Sequence, residues 1–401
     1  MKNKKVRKFS EKIIENILGL SSAITSLAVI LITVFLFSEG LRLFGEQPIE
    51  KNFELVVHKC NTVKHLTSLQ IKNIFDGKII NWREVGGLNQ EIKLFTINDI
   101  GQYFSDEEVG ASFEFLPQRI NELMIKDTAI IAYLPTKYLV KDFAGRKLDI
   151  DNITVGSFLA GKEWFPTAEP VVQIGILPLI MGTLWVCFGA ILLALPLGLA
   201  TAIYMAEITN HKIRNIIKPI IELLAGIPSV VYGFFGLVII VPMLQQTFNL
   251  PVGETGLAGS IILAIMVLPT IITIAEDAIR TTPNSIREAS LALGATQWQT
   301  IRRVVLPNSI LGITAAVVLG IGRAFGETMA VLMVTGNAAV MPNSLLQPMR
   351  TITATIAAEL GEAPQGGLHY KSLFALGCVL FIITLITNTI VEWVTRRKKL
   401  S

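Results

Sequence analysis

The sequence predicts an α-helical polytopic membrane protein of about six spans with a mixed α/β unit inserted after the first span. Three observations carry this. Charged residues make up 16% of the chain and hydrophobic ones 51%, with mean hydropathy +0.56, whereas a soluble domain carries about 25% charged residues. The apolar residues fall in runs that meet the roughly 20 residues needed to cross a bilayer core. Between about 42 and 165 the composition returns to soluble proportions. The net charge of +4 is modest. Its basic residues sit beside apolar runs, which reads as a topology signal and excludes a nucleic-acid surface.

Taken in order, residues 1–41 form a basic N-terminus (Lys2, Lys4, Lys5, Arg7, Lys8, Lys12) and an apolar run over about 17–39. That run exceeds the roughly 7–15 residues of a signal-peptide core, so an uncleaved first span is expected. In the unit at 42–165, Thr67 and Gln70 stand at capping-box spacing and predict a helix to Phe75, closed by Gly77. Asn81 to Gly87 reads as a turn, and Glu91–Ile97 and Thr128–Leu134 read as strands. Residues 166–401 form the helical core. Apolar sequence from about Ile174 to Ala206 is too long for one perpendicular span, so a kink at Pro196 and an interfacial start are expected. Glu207 to Lys218 reads as a basic loop. Spans are expected from Pro219 to about Leu244, broken near Gly226-Ile-Pro228-Ser229, and then over 255–278 and about 308–334. A polar loop reaches Lys371, and a last span ends at about Val394 before Arg396-Arg397-Lys398-Lys399. Both termini on the cytoplasmic side would put every basic cluster on that side and the 42–165 unit on the other.

The stretch from Asn284 to Val334 organises the rest. Ser285 and Glu288 have capping-box spacing, Gly294 is placed for a left-handed helix end, and Thr296 and Gln299 repeat the box. Two short helices at an angle would offer a compact surface outside the membrane. The next span carries Gly320-Ile-Gly322-Arg323-Ala-Phe-Gly326-Glu327-Thr328 in apolar sequence. A charge at mid-membrane costs at least about 2.5–3.5 kcal/mol and points to function. Arg323 and Glu327, four apart, are expected to share a helix face and pair. Two readings stay open for them: a helix-locking salt bridge, or an arginine fork for an oxyanion on a translocation path. Gly322 and Gly326 are expected at a close helix contact. The Gly226–Ser229 break is either a plain proline kink or backbone N–H groups opened toward an anion path.

Several patterns are set aside. Gly156 to Glu163 nearly matches a phosphate-binding P-loop but has Glu163 where Ser or Thr must reach magnesium. Gly320-x-Gly322 has its third glycine misplaced for a dinucleotide loop. His58, His65, His211 and His369 are scattered and expected at the surface. Cys60, Cys187 and Cys378 suggest no disulfide framework, and no metal or cofactor is expected.

Glu288-Ala289, Gly294 and Leu306-Pro307 at these spacings resemble the EAA loop of ABC importer permeases, which docks on the ATP-hydrolysing subunit. Arg323-Ala-Phe-Gly326-Glu327-Thr328 is similar to the phosphate-importer (Pst) permeases, the C-type subunit in particular. The resemblance covers roughly 165–395 and the first span. Gly161-Lys-Glu-Trp164-Phe-Pro166 resembles that family's lead-in to its core. Within the insert, Leu66–Gly87 and Ala129–Pro135 resemble one lobe of periplasmic phosphate-binding proteins. Where those proteins place a Ser-Gly-Thr anion loop, this chain has Ile97 to Glu108, with Asp106, Glu107 and Glu108. The resemblance implies a type I ABC permease without ATPase activity in the bacterial inner membrane. Its implied translocation path includes Gly226, Pro228, Ser229, Arg323, Glu327 and Thr328. Its implied coupling loop includes Glu288, Ala289, Gly294, Leu306 and Pro307. Implied partners are an ATP-binding subunit dimer, a homologous second permease subunit and a phosphate-binding protein, with phosphate as substrate and the lipid bilayer as surroundings. Molybdate or sulfate transport, or phosphate sensing through the insert, are the alternatives.

Overall fold

The computed structural model describes residues 2–110, 113–140 and 142–397. Lys398 and Lys399 lie outside them, as do the side chains of Lys2, Lys4, Lys5, Arg7, Lys8, Asp106, Arg396 and Arg397.

Helix α1 (Lys2–Leu41) contains the expected first span, apolar from Ile14 onward. The insert follows as β1 (Phe53–His58), α2 (Ser68–Phe75), β2 (Lys93–Thr96), α3 (Leu116–Lys126), β3 (Ile130–Pro135) and β4 (Gly145–Lys147). The strands form one sheet in the order β2-β3-β1-β4; β2 and β3 are parallel, and β1 is antiparallel to both its neighbours. Central β3 is buried at every position, which its continuous apolar run requires, because both sheet faces are covered. Leu55, Val57, Ile131 and Tyr133 pack with Ile71, Ile74 and Trp82 on one face. Val56, Phe95, Ile130, Ala132 and Leu134 pack with Leu116, Ile120 and Met124 of α3 on the other. The Thr67–Gln70 capping box forms and starts α2. Asn81 and Glu84 form another over a 3-10 turn that drives Trp82 into the core, where its indole N–H donates to the Ala129 carbonyl at 2.8 Å. Helix α4 (Val155–Ala160) and the short hairpin of β5 (Trp164–Phe165) with β6 (Gln173–Ile174) make the neck to the core.

The core begins with α5 (Leu177–Ile203), which passes through Pro196 and ends in a π turn, Tyr204–Ile208. Together they make one continuous apolar stretch of 32 helical residues, with Pro196 inside it. A helix that long fits a bilayer by tilting or projecting. The expected loop at 207–218 is largely α6 (His211–Ala225), because Asn210 caps the Ile213 N–H at 3.0 Å. Its apolar stripe, Ile213, Ile216, Ile220 and Leu223, is exposed, while Arg214 and Lys218 turn to Glu276. The span expected from Pro219 therefore starts at α7 (Ser229–Phe248). Next come α8 (Gly256–Arg280), the most buried span, α9 (Asn284–Ala292), α10 (Gln297–Asn308) and α11 (Ile310–Gly326), with a 71° bend between the last two. Helix α12 (Met329–Val334) completes that segment. The expected polar loop after it contains α13 (Ile352–Glu359), an eight-residue helix capped by Thr351 and buried at Ile352, Thr353, Ala354 and Thr355. Finally α14 (Leu368–Arg397) packs on α1, with Phe374 edge-on to Phe35 at 5.6 Å and Gly40 against Cys378. Five helices are long and apolar enough to cross a membrane, or six if the bent pair counts as one, among the described residues.

Candidate functional site

The first half of the candidate site is the loop between α8 and α11. Helix α9 starts at Asn284 behind Pro283, and no side chain caps it. The expected Ser285–Glu288 capping box is therefore not formed. Pro283 already holds extended geometry at the cap, so Ser285 falls inside the first turn. Gly294 adopts the expected left-handed conformation at φ +86°. Its N–H bonds the Leu291 carbonyl at 2.9 Å and the Ala295 N–H bonds the Ser290 carbonyl at 3.3 Å, a complete Schellman end. The Thr296–Gln299 box forms and starts α10. Hydroxyls of Ser290 and Thr300 meet at 2.9 Å and lock the two short helices together. Glu288, Ala289, Leu291, Leu293 and Trp298 are all exposed. Leu306 is half-buried and Pro307 exposed just before the bend. There Ser309 meets Thr282 of the preceding segment at 2.9 Å.

Three residues not singled out in the sequence build ion pairs around it: Glu207 and Arg287 tie the loop to α5, and Glu276 ties α6 to α8. Glu207, in the π turn ending α5, takes hydrogen bonds from Arg287 Nη2 at 2.6 Å and Nε at 3.1 Å. Arg287 also donates to the carbonyls of Thr282 and Ile279 and to Asn284 Oδ1. Glu276, fully buried in α8, faces Arg214 at 2.6 Å, Lys218 at 3.1 Å and Arg280 at 3.7 Å. The signal for Glu276 was an acid inside the apolar run, four residues before Arg280. For Glu207 the sequence shows only an acid at a helix end.

The second half lies at the breaks in the spans. Helix α11 ends at Gly326, and Glu327 takes extended backbone there. Glu327 therefore cannot share a helix face with Arg323, and the two form no ion pair among the described residues, against expectation. Arg323 is half-buried and donates from Nη1 to the Thr270 hydroxyl of α8 at 3.1 Å. Glu327 Oε1 instead accepts the Ala330 N–H at 3.3 Å, and its carbonyl accepts the Thr353 hydroxyl of α13 at 2.8 Å. Thr328 donates to the Gly326 carbonyl at 3.3 Å. A cavity of about 530 Å³ reaches Thr328, Thr353 and Ile356 but not Arg323. Gly322 and Gly326 face open space, so the expected close helix contact is absent at both; Gly320 makes it instead, against Ile271. At the other break, the Gly226 and Ile227 N–H groups turn back to Leu223 and Leu224, and Tyr232 donates to the Leu224 carbonyl at 2.8 Å. The Gly226 N–H is thus already bonded within its own helix end. Pro228 caps α7, which begins at Ser229 and packs through Gly233 on α12, so the two breaks belong to neighbouring segments.

A third cluster joins the neck to the core. The Glu359 carboxylate at the end of α13 accepts Trp164 Nε1–H at 3.1 Å, His369 Nε2 at 2.9 Å and the Arg350 guanidinium. Burial would raise this carboxyl, but hydrogen bonds from His369 and Trp164 and the Arg350 charge outweigh it and hold the group below its ordinary value. His369 is therefore a half-buried partner and not the surface histidine expected. No group of three or more potential metal ligands occurs among the described residues.

The profile of the family described as "Binding-protein-dependent transport system inner membrane component" matches residues 194–400, more than half of the chain. The chain is 41% identical over 251 residues to the probable ABC transporter permease protein YqgH of Bacillus subtilis, covering 62% of this chain and 81% of that protein. It is 40% identical over 260 residues to the phosphate transport system permease protein PstC of Mesorhizobium japonicum, covering 60% and 78%. A solved methionine ABC transporter, MetNI in inward-facing form, overlays on 56% of this chain and 94% of its own with TM-score 0.41 and 20% identity. The helical core with its exposed paired helices, the profile over that core and relatives covered over most of their length lead to one conclusion: this chain belongs to the binding-protein-dependent transport inner membrane component family, the permease subunits of ABC importers.

Proposed function

We propose that this permease carries phosphate across the bacterial inner membrane. As an ABC importer permease it is a multi-pass membrane subunit that hydrolyses no ATP itself; a separate ATPase subunit does so, and a substrate-binding protein delivers the cargo. The finer reading is a phosphate-binding protein as donor, a homologous second permease alongside and a pair of ATPase subunits at the α9–α10 loop. Both termini would face the cytoplasm and the insert the outside. The observation that carries the substrate is Arg323. It sits in a span with one neutral hydroxyl partner and, among the described residues, no carboxylate. An arginine in a membrane that lacks an internal counter-charge suits a passing oxyanion. PstC proteins among the relatives are named for phosphate transport, which supports the same substrate.

The insert we read as a lobe related to phosphate-binding proteins that does not hold phosphate. Where an anion loop would stand, its polar groups are already engaged. The Thr96 N–H and hydroxyl both donate to Asp99, and those of Ser105 both donate to Glu108. The carboxylates of Asp99 and Glu108 occupy these donors and repel a second anion. Docking of the soluble binding protein is the role that suits such a lobe.

The test is uptake in proteoliposomes holding the permease, its partner subunits and the binding protein. Labelled phosphate is expected inside in an ATP-dependent manner, undiminished by excess sulfate or molybdate. Accumulation of sulfate or molybdate in place of phosphate would overturn the substrate. ATP-independent phosphate binding without uptake would favour sensing.

A further inference from the structure

The Arg287–Glu207 pair joins the coupling loop to a helix outside that loop. Arg287 belongs to α9, and its guanidinium reaches both carboxylate oxygens of Glu207, two carbonyls at the end of α8 and Asn284. Gln297, at the start of α10, donates to the Glu207 carbonyl at 3.0 Å. Both helices of the loop therefore grip one residue of the π turn that ends α5. The pair is largely buried, with side chains 17% and 9% exposed. In such a setting a bidentate guanidinium–carboxylate contact fixes direction as well as distance.

The far end of α5 is gripped as well. Thr183 Oγ1 accepts the Ile352 N–H at 3.0 Å at the start of α13, and Gly182 lies so close to the Arg350 carbonyl that a Cβ there would fall 2.3 Å from it. Thr353, the next residue of α13, donates to the Glu327 carbonyl at the break beside Arg323. Thr183 and Glu207 are 24 positions apart on a helix unbroken through Pro196, or about 36 Å at 1.5 Å per residue.

We propose that α5 is the push-rod of this importer, that the Arg287–Glu207 pair is its joint with the ATPase-facing loop, and that Thr183 is its joint with α13 and the Glu327 break. Arg287, Glu207 and Thr183 act as positioning residues: none needs to touch substrate or ATP. A displacement of α9 then moves the far end of α5 directly, because a hydrogen-bonded helix is stiff along its axis. It reaches the 327–328 break through two hydrogen bonds, the Ile352 N–H to the Thr183 hydroxyl and the Thr353 hydroxyl to the Glu327 carbonyl. The inference rests on membership of the importer family and not on phosphate as cargo.

The experiment measures uptake per ATP hydrolysed in proteoliposomes of the full complex, for Arg287→Lys, Glu207→Gln and Thr183→Val. Arg287→Lys keeps the charge and loses the fork; Glu207→Gln keeps the shape and loses the charge. Each is expected to lower the ratio about tenfold, within the range of typical coupling energies. Assembly and the thermal midpoint of the complex should stay unchanged, a combination that a purely structural pair would not give. A ratio within twofold of the unsubstituted complex for Arg287→Lys and Glu207→Gln overturns the proposal. Failure of both conservative variants to assemble also overturns it, since the pair would then serve folding. If the unsubstituted complex takes up no phosphate, the substrate reading fails by itself. The push-rod is then read from the ratio of binding-protein-stimulated to basal ATP hydrolysis.

Discussion

The insert, built round a sheet, and the helical transmembrane core are both well packed, but they use charge in opposite ways. In the insert, most charged side chains lie at the surface and pair there, as Lys78 does with Asp76 and Arg119 with Glu122. Exposed pairs of this kind contribute about 0–1 kcal/mol. Its buried interior holds sheet and helix faces of Leu, Ile, Val, Phe and Trp82. In the core the outside is apolar, and charge is found where helices meet. Glu276 is held by three cations, Glu207 by Arg287, and Arg323 by a single hydroxyl. A charge in the insert is a solvated background. In the core these inward-facing charges have desolvation against them, so their positions carry information about mechanism.

The sharpest break of that contrast is to remove one charge from the core. Arg323→Gln is expected to lower ATP-driven phosphate uptake about 30-fold or more, as the loss of a buried charge partner does elsewhere, while the complex still assembles. Phosphate binding to this variant in nanodiscs should also fall away. Micromolar binding that survives Arg323→Gln would place a phosphate site in the insert and erase the distinction between the two regions. Normal uptake would remove Arg323 from the path.

A second prediction concerns the backbone of the loop that joins α9 and α10. Gly294→Val puts a β-branched residue at φ +86°, where no neighbour lies within 4 Å of the new Cβ. The penalty is conformational and not steric, about 1–3 kcal/mol of strain at one joint. Uptake is expected to fall several-fold, with the insert's hydrogen exchange unchanged. Equal loss of protection in both regions would show that they are one cooperative unit.

A matching change inside the insert is Trp82→Ala. It removes a side chain 1% exposed and the hydrogen bond to Ala129. A loss of about 3–5 kcal/mol of local stability is expected from such a truncation. Hydrogen-exchange mass spectrometry of the whole protein should show faster exchange in β1, α2 and β3 and unchanged exchange in α8. Transport should suffer less than with Arg323→Gln, because the proposed path lies in the transmembrane core.

These differences also explain what the sequence could reveal. Thr67–Gln70, Thr296–Gln299 and Gly294 were legible because caps and left-handed turns are local: the same few residues specify and form them. The membrane-spanning helices were legible because solvent and bilayer select different compositions. Arg323 and Glu327 were legible as unusual charges, but their pairing was not. Glu327 leaves the helix to cap α12 and to meet Thr353, and that contact comes from 26 residues away in the chain. Ser285 was misassigned because Pro283 sets the helix start first. The α6 helix and the buried α13 were hidden for a related reason: basic or polar residues suggested loops where Asn210 and Thr351 cap helices. Glu207 gave no signal, since its meaning depends on Arg287, 80 positions later.

The smallest effect is expected at the insert's surface, with Asp127→Asn. Burial would raise the Asp127 carboxyl, but the hydrogen bonds from Lys93 and the Ala129 N–H prevail and hold it below its ordinary value. A carboxylate depressed in the folded state contributes stability above its unfolded pKa of about 3.9 and loses it as pH falls through the lower folded value. Its partner Lys93 is exposed and Asp127 itself half-buried, so solvent screening limits that contribution to at most about 1 kcal/mol at neutral pH. Asp127→Asn should therefore destabilise the insert slightly at pH 7, with the difference from the unsubstituted protein vanishing in acid. Uptake should not change. The measurement is hydrogen exchange of the β2–β3 peptides as a function of pH. A difference that persists unchanged below pH 3 would assign the effect to packing, and a loss of uptake would show that a surface charge of the insert, like those of the core, takes part in transport.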